Sequence, residues 1–134
     1  MTPLVDTSAW IEYLRATGSA AHLTVRGLLE RDAPLATTDV IVMEVLAGGR
    51  DAAQVTRLRG LLGRCTFHPT IGLDDFEAAA DLYRTCRRRG ETVRALNDCL
   101  IGAVAVRIGT PILHADRDFG ALARCTHVRL YESA

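Results

Sequence analysis

The sequence has no lysine, no apolar run long enough to cross a bilayer, and no basic and apolar leader before its first acid, Asp6. A membrane-spanning helix needs about 20 consecutive apolar residues, and a secretory signal peptide needs a basic start followed by an apolar stretch. Because neither pattern is present, we expect a cytoplasmic protein with no membrane partner. The lack of lysine means that all sixteen basic residues are arginines.

Closely spaced cysteine pairs are also missing. The chain has four cysteines and four histidines, with no C-x-x-C motif and no second ligand at the spacing typical of zinc sites. They are Cys65, Cys86, Cys99 and Cys125, and His22, His68, His114 and His127. We therefore expect reduced thiols, and we expect neither a disulfide framework nor a zinc site.

The sequence does contain enough apolar residues for one sizeable core. It has 134 residues, of which 49% are hydrophobic, and this length is typical of one domain. Internal repeats, linkers and low-complexity tracts are not evident. We therefore predict a single domain spanning residues 1–134.

Short apolar runs alternate with helical patterns. We predict strands at 3–6, 35–37, 66–68, 111–114 and 128–131, of which the third could also be an extended link. We predict helices at 8–14, 20–31, 39–47, 51–62, 74–89, 95–108 and 116–124, and the apolar pattern of 39–47 predicts a helix buried on nearly all sides. This alternation predicts an α/β fold, a Rossmann-like α/β/α sandwich with a short, mainly parallel sheet flanked by helices.

Four acids occupy positions where such a fold gathers ligand-binding residues. Asp6 and Asp116 each follow a strand and precede a helix, so both should project from the carboxyl edge of the sheet. Asp98 stands in the first turn of an apolar helix. Glu44 lies within another apolar helix, where an unpaired charge would be costly. These positions predict one shared carboxylate cluster.

Each acid also has an ordinary explanation. The acids at strand ends could be helix caps, and acids in first turns could complement helix dipoles. Glu44 could pair with a buried arginine such as Arg107 or Arg26. We favour a shared site because the ordinary explanations require four or five independent coincidences.

The chemistry that suits such a cluster is metal-dependent phosphodiester hydrolysis. Hard carboxylate oxygens suit Mg²⁺, with Mn²⁺ as the alternative, and two such ions can activate a water and stabilise the leaving oxygen. The expected products carry 5′-phosphate and 3′-hydroxyl ends. The net charge of zero permits an RNA partner, because sixteen arginines face only eleven other acids if Asp118 and the four acids above bind metal.

Four motifs lie in order along the chain. They are Val5-Asp6-Thr7-Ser8-Ala9-Trp10, Thr38-x-x-Ile41-x-Met43-Glu44, Asn97-Asp98-Cys99-Leu100-Ile101-Gly102-Ala103 and His114-Ala115-Asp116-Arg117-Asp118-Phe119. Together they resemble the PIN-domain nucleases, and length and motifs are most similar to VapC toxins of bacterial VapBC toxin–antitoxin modules. The resemblance spans almost the whole chain, with little between Arg50 and Val93 beyond helices of the right kind.

The resemblance implies a PIN-like fold and an endoribonuclease that cuts structured RNA, typically tRNA or rRNA, and so inhibits translation. The implied partners are the RNA substrate, a VapB-type antitoxin whose C-terminal tail covers the active site, and a second copy of the chain in a homodimer. By position it implies Asp6, Glu44, Asp98 and Asp116 as catalytic acids and metal ligands, Asp118 as a further metal ligand, and Thr7, Ser8 and Asn97 as residues that support the acids or contact substrate phosphate.

Three other functions can be compared with this one. A phosphoacceptor receiver domain needs a pair of early acids and a lysine near its end, and this chain has a single early acid and no lysine. An inactive PIN-like interaction domain should have lost one of the acids, and all are present. A housekeeping RNA-processing nuclease usually carries additional length or an RNA-binding module.

Two further groups have less specific patterns. The arginines around the 84–94 segment could contact RNA phosphates or could be a solvated helix end; they are Arg84, Arg87, Arg88, Arg89 and Arg94. Trp10 and Tyr13 on the first helix could be core or dimer contacts, although their closeness to Asp6 favours a partner surface.

Overall fold

The computed structural model describes residues 1–132 and shows a short parallel sheet. Its four strands are β1 (Leu4–Val5), β2 (Ala36–Thr37), β3 (Thr66–Phe67) and β4 (Ile112–Leu113), in the order β3-β2-β1-β4. Leu4 lies opposite Ala36 on one side and Ile112 on the other. β1 is therefore central, and the residue that follows it lies in the middle of the carboxyl edge of the sheet.

Seven helices flank this sheet within the described residues. They are α1 (Thr7–Arg15), α2 (Ala20–Glu30), α3 (Asp39–Ala47), α4 (Ala52–Leu62), α5 (Gly72–Arg88), α6 (Leu96–Ile108) and α7 (Arg117–Cys125). Asp6 caps α1, Ser19 caps α2, Asp51 caps α4 and Asp116 caps α7, each accepting a hydrogen bond from a backbone N–H of the first turn. These caps satisfy amides that a helix leaves unpaired at its start. The predicted α/β architecture with a parallel sheet is confirmed.

The apolar side chains form one continuous core. Trp10, Ile41, Ile101 and Phe119 are completely buried within it, and so is Ile112 on β4. Each comes from a different element, so the sheet and its flanking helices share the same core. No helix among residues 1–132 is long and apolar enough to cross a membrane.

Three predicted elements differ from the structure. The strand predicted at 128–131 is reduced to an isolated bridge between Leu130 and Ile112, because β4 is only two residues long and offers few ladder positions. Helix α5 begins at Gly72 rather than at residue 74, because the Asp75 side chain reaches back to accept the Ile71 N–H at 2.7 Å. Helix α3 is not buried on all sides, since Met43 is 58% exposed.

Two interpretations of side chains are wrong. Trp10 is fully buried and packs edge-on against Tyr13, so it belongs to the core and not to a partner surface. The arginines considered for Glu44 are engaged elsewhere: Arg107 pairs with Asp75 and Arg26 with Glu30. The ion-pair explanation for Glu44 therefore fails.

Candidate active site

The site is organised around Asp6, at the end of the central strand. Its Oδ2 accepts hydrogen bonds from the Ser8 N–H at 2.9 Å and from the Ser8 hydroxyl at 2.7 Å. Its Oδ1 is buried and has no hydrogen-bond partner. Burial raises the pKa of Asp6 to about 6 despite the bonds from Ser8, and the negative charge of Glu44 adds to the rise.

The Ser8 hydroxyl connects the segment that follows β1 to the segment that follows β4. While its hydroxyl donates to Asp6, its Oγ accepts the Ala115 N–H at 2.8 Å. The strand-to-helix junction after β1 is thereby connected to the junction after β4, where Asp116 begins α7. A single hydroxyl thus fixes the relative positions of two acidic junctions.

Glu44 enters the site from α3. Its Oε1 accepts a hydrogen bond of 2.8 Å from the Thr7 hydroxyl, and its charge contributes to the raised pKa of Asp6. Glu44 is half-buried, with one oxygen held by α1. None of the ion pairs among residues 1–132 includes Glu44.

A second group of acids lies at the starts of α6 and α7. One carboxylate oxygen from each of Asp98, Asp116 and Asp118 lies within 4.8 Å of the others. Asp116 caps α7 by accepting the Asp118 N–H at 2.9 Å. The Asp116 N–H in turn donates to Nδ1 of His114 at 3.1 Å. These bonds fix the turn that carries two of the three carboxylates.

Asp98 is the most strongly perturbed acid of the group. It is buried, and its Oδ2 has no hydrogen-bond partner. Burial raises the pKa of Asp98 to about 8, and a hydrogen bond with Asp118 and the charges of Asp6, Asp116 and Asp118 add to the rise. The protein therefore holds a carboxyl group where its negative charge is unfavourable unless a cation is nearby.

Asp118 has a different environment, because it is held by the backbone. Its Oδ2 accepts the N–H groups of Arg94 and Ala95, each at 3.1 Å, just before α6 begins. Burial alone would raise the pKa of Asp118, but hydrogen bonds from Arg94, Asp98 and Ala95 outweigh it and lower the pKa. The carboxylate consequently stabilises the turn that presents Asp98.

Arg94 is a cationic side chain that contacts two of these acids. Its Nε lies 3.4 Å from Oδ1 of Asp118 and its Nη2 lies 3.4 Å from Oδ1 of Asp116. The sequence pattern places Arg94 with the arginines around the 84–94 segment and gives no indication of this contact. The sequence feature that could have indicated the contact is the position of Arg94, two residues before α6. Because Asp98 lies in the first turn of α6, the residues just before this helix must lie near the acids.

The remaining predicted residues lie apart from these contacts. Asn97 is exposed in the first turn of α6, and no hydrogen bond among the described residues links its side chain to the acids. Arg84, Arg87 and Arg88 line a separate surface depression on α5, and Arg87 stacks over Tyr83 at 5.7 Å. The basic segment predicted from the sequence therefore divides into two parts. Arg84, Arg87 and Arg88 form a patch on the surface of α5, and Arg94 contacts the acids.

The donor set suits a hard divalent cation. Four buried side-chain polar atoms of the described residues have no hydrogen-bond partner, and two of them are the carboxylate oxygens of Asp6 and Asp98. Buried carboxylate oxygens are rarely left without a partner in a folded protein. Oxygen donors from several carboxylates are the ligands that Mg²⁺ and Mn²⁺ prefer, so the residues fit such an ion.

Comparison with known proteins finds a matching family model, similar sequences and a similar fold. A family model described as the PIN domain matches residues 4–124. The chain is 48% identical over 130 residues to VapC ribonuclease Mb1587 of Mycobacterium bovis and to ribonuclease VapC11 of Mycobacterium tuberculosis, covering 94% of this chain and 95% of each relative. Its fold is similar to that in the crystal structure of VapBC2 from Rickettsia felis bound to a DNA fragment from its promoter, with a TM-score of 0.73, 14% identity and complete coverage of both chains.

Proposed function

The chain belongs to the PIN-domain family and, within it, to the VapC ribonucleases, and on this premise we propose that it is a metal-dependent endoribonuclease toxin. It cuts phosphodiester bonds in structured RNA, tRNA or rRNA, in the cytoplasm, and a VapB-type antitoxin silences it. The observation that supports this most directly is the pair of partnerless buried oxygens on Asp6 and Asp98. We also propose that residues 1–134 form one PIN domain, and the continuous core within residues 1–132 supports this.

We assign the metal ligands to the carboxylates of the site. Asp6, Glu44, Asp98, Asp116 and Asp118 are the residues that would hold Mg²⁺ or Mn²⁺. The bound ion would offset their negative charge and provide an activated water for attack on phosphorus. The raised pKa values of Asp6 and Asp98 support this assignment, because such carboxyl groups gain most from a nearby cation.

The surrounding polar residues orient these acids. Ser8 fixes Asp6 and the Ala115 segment, and Thr7 fixes Glu44. Such supporting hydrogen bonds commonly contribute about 10- to 100-fold to metal affinity or activity. Asn97, exposed beside Asp98, has room to contact a substrate phosphate.

The proposed reaction does not require a histidine as a general acid or base. Burial lowers the pKa of His114, the histidine nearest the acids in sequence. Its Nδ1 is occupied by the Asp116 N–H and its ring packs against Phe119. His114 therefore supports the turn before α7, and proton transfer is left to water and the carboxylates.

A groove beside the acids supports the antitoxin assignment. It has a volume of about 420 Å³, lies between α1, α3 and α4, and includes Thr7 and Glu44. Ile11 and Leu14 expose apolar surface along it, while Arg15 and Arg50 add positive charge. A partner segment lying in this groove would cover Glu44 and block RNA. We also propose a homodimer, as the family resemblance implies.

The test is direct cleavage of RNA. Purified protein is incubated with total bacterial RNA and Mg²⁺ or Mn²⁺, in parallel with EDTA, and new 5′-phosphate ends are mapped by sequencing. The variants are Asp98→Asn and the matched control Asp32→Asn, which removes one carboxylate charge from an exposed surface pair with Arg64.

We expect discrete cuts with the wild type and with Asp32→Asn, and none with EDTA or Asp98→Asn. Cutting that survives both the chelator and Asp98→Asn would contradict the assigned site. A complete absence of cutting by the wild type would favour a PIN-like interaction domain.

A further inference from the structure

We propose that Arg94 is a displaceable cation of the active site. In the metal-free protein it neutralises Asp116 and Asp118, and when a metal ion is held by these carboxylates its guanidinium contacts a phosphate of the RNA. The second half of this proposal rests on the proposed ribonuclease function, whereas the first half concerns the protein alone. The contacts of Arg94 with the two acids carry the argument.

The backbone of Arg94 is fixed while its side chain is not. The N–H groups of Arg94 and Ala95 both donate to Oδ2 of Asp118 at 3.1 Å. These two bonds hold the main chain beside the cluster whatever the guanidinium contacts. The side chain of Arg94 is 57% exposed, so only side-chain rotations are needed to move the charge.

The guanidinium contacts are long compared with a structural arginine in the same protein. Arg94 reaches each carboxylate through one nitrogen at 3.4 Å, beyond the usual range of about 2.7–3.2 Å. Arg107 instead contacts both oxygens of Asp75 at 2.9–3.2 Å and also donates to the Pro69 carbonyl at 2.9 Å. The bonds of Arg94 are therefore the ones that can be released at low cost.

Arg94 and a metal ion would use the same carboxylates. Asp116 and Asp118 belong to the group whose oxygens lie close enough together to share one ion, and they are also the two partners of Arg94. Two cations at one pair of carboxylates repel each other. Occupancy by a divalent ion should therefore release the guanidinium toward solvent, at the position where the RNA backbone must approach.

Arginine is well suited to the second contact. The planar guanidinium can donate two parallel hydrogen bonds to a phosphate, and it stays charged at every working pH. Because its backbone remains attached to Asp118, the released side chain stays within one side-chain length of the cluster. Arg94 is thus a substrate-positioning residue that does not depend on the separate arginine patch of α5.

The first test measures metal binding without RNA. Mn²⁺ titrations by calorimetry compare the wild type with Arg94→Ala, Arg94→Lys and the control Arg26→Ala, which removes an exposed arginine paired with Glu30 on α2. We expect Arg94→Ala to bind Mn²⁺ several-fold more tightly, because a competing cation is gone. Arg94→Lys and Arg26→Ala should stay close to the wild type. Unchanged or weaker binding by a folded Arg94→Ala would overturn the metal-free contact.

The second test measures RNA cleavage at saturating Mn²⁺, so that metal affinity no longer limits the rate. We expect Arg94→Ala to lower kcat/KM about 100-fold, Arg94→Lys to retain part of the activity, and Arg26→Ala to retain all of it. Cleavage by Arg94→Ala at the wild-type rate would overturn the phosphate contact while leaving the ribonuclease assignment intact. A wild type that cuts no RNA would instead remove the proposed function and the phosphate contact together, and the Mn²⁺ titration would still decide the first half.

Discussion

The hydroxyl of Thr7 donates a hydrogen bond of 2.8 Å to Oε1 of Glu44, joining α1 to α3 across 37 positions of sequence. Thr7 immediately follows Asp6, so the same turn that presents one acid also orients another. No ion pair in the described part of the chain includes Glu44, and the two arginines considered for it, Arg107 and Arg26, pair with Asp75 and Glu30. We therefore expect this hydroxyl to orient Glu44.

Replacing the Thr7 hydroxyl by a methyl group tests that dependence. We expect Thr7→Val to lower RNA cleavage about tenfold, because supporting hydrogen bonds typically contribute 10- to 100-fold at such sites. The loss of thermal stability should be small, about 1 kcal/mol. Thr56→Val, which removes an exposed hydroxyl that bonds the Ala52 carbonyl within α4, should leave cleavage unchanged. Equal activity of Thr7→Val and Thr56→Val would contradict this role.

Ser8 has two partners, so its removal should have a larger effect. Ser8→Ala deletes the hydroxyl that donates to Asp6 and accepts the Ala115 N–H. We expect metal affinity to fall about 10- to 100-fold and the melting temperature to fall as well, because the Ala115 amide loses its acceptor. Calorimetric Mn²⁺ titration and thermal denaturation measure the two effects. Wild-type Mn²⁺ affinity in this variant would show that the bridge is not needed to place Asp6.

Asp98 should reduce stability in the absence of metal. Because burial raises its pKa to about 8, its ionised form is unfavourable at neutral pH, and Asp98→Asn should raise the melting temperature in EDTA while abolishing cleavage. The comparison variant is Asp75→Asn. The Arg107 guanidinium lowers the pKa of Asp75, so this substitution should cost about 1–3 kcal/mol. A lower melting temperature for Asp98→Asn than for the wild type would contradict the prediction.

The same shifts predict how stability changes with pH. The pKa values of Asp6 and Asp98 rise from 3.8 to about 6 and about 8 on folding, so the folded protein binds more protons than the unfolded chain between these values. Asp6 and Asp98 should therefore make the metal-free protein less stable as the pH rises from about 4 to 8, whereas His114, whose pKa is lowered by burial from 6.5, contributes in the opposite direction below that value. Denaturation in EDTA at pH 5.5 and pH 8 measures this, and saturating Mn²⁺ should reduce the difference. Equal stability at both pH values in EDTA would refute it.

The positions of several acids could be predicted from the sequence because they follow from local patterns. Asp6 and Asp116 come at the ends of apolar strands in a parallel sheet, which places both at one edge. Glu44 could be predicted as a candidate site residue because a charged side chain within an apolar helix is unfavourable unless it is paired or binds a metal. These arguments require only strand ends, helix periodicity and the cost of buried charge.

The contacts of Arg94 could not be predicted in the same way. They depend on the path of the segment between α5 and α6, which has no periodic pattern, and on a carboxylate 24 positions away in Asp118. The burial of Trp10 was also missed, because an aromatic residue on an amphipathic helix can face either the core or a partner. Such features are decided by tertiary packing, which one sequence does not specify.

The bridge from Ser8 to Ala115 spans 107 positions of the chain, and this has a consequence for synthesis. A nascent chain that has not yet emerged beyond residue 118 cannot offer the Ala115 N–H to the Ser8 hydroxyl and does not yet expose Asp116 and Asp118. Folding of earlier segments can begin on the ribosome, but the site cannot assemble until the segment from Ala115 to Asp118 has emerged. A chain built in this order cannot complete its acidic site before Asp118 has left the ribosome.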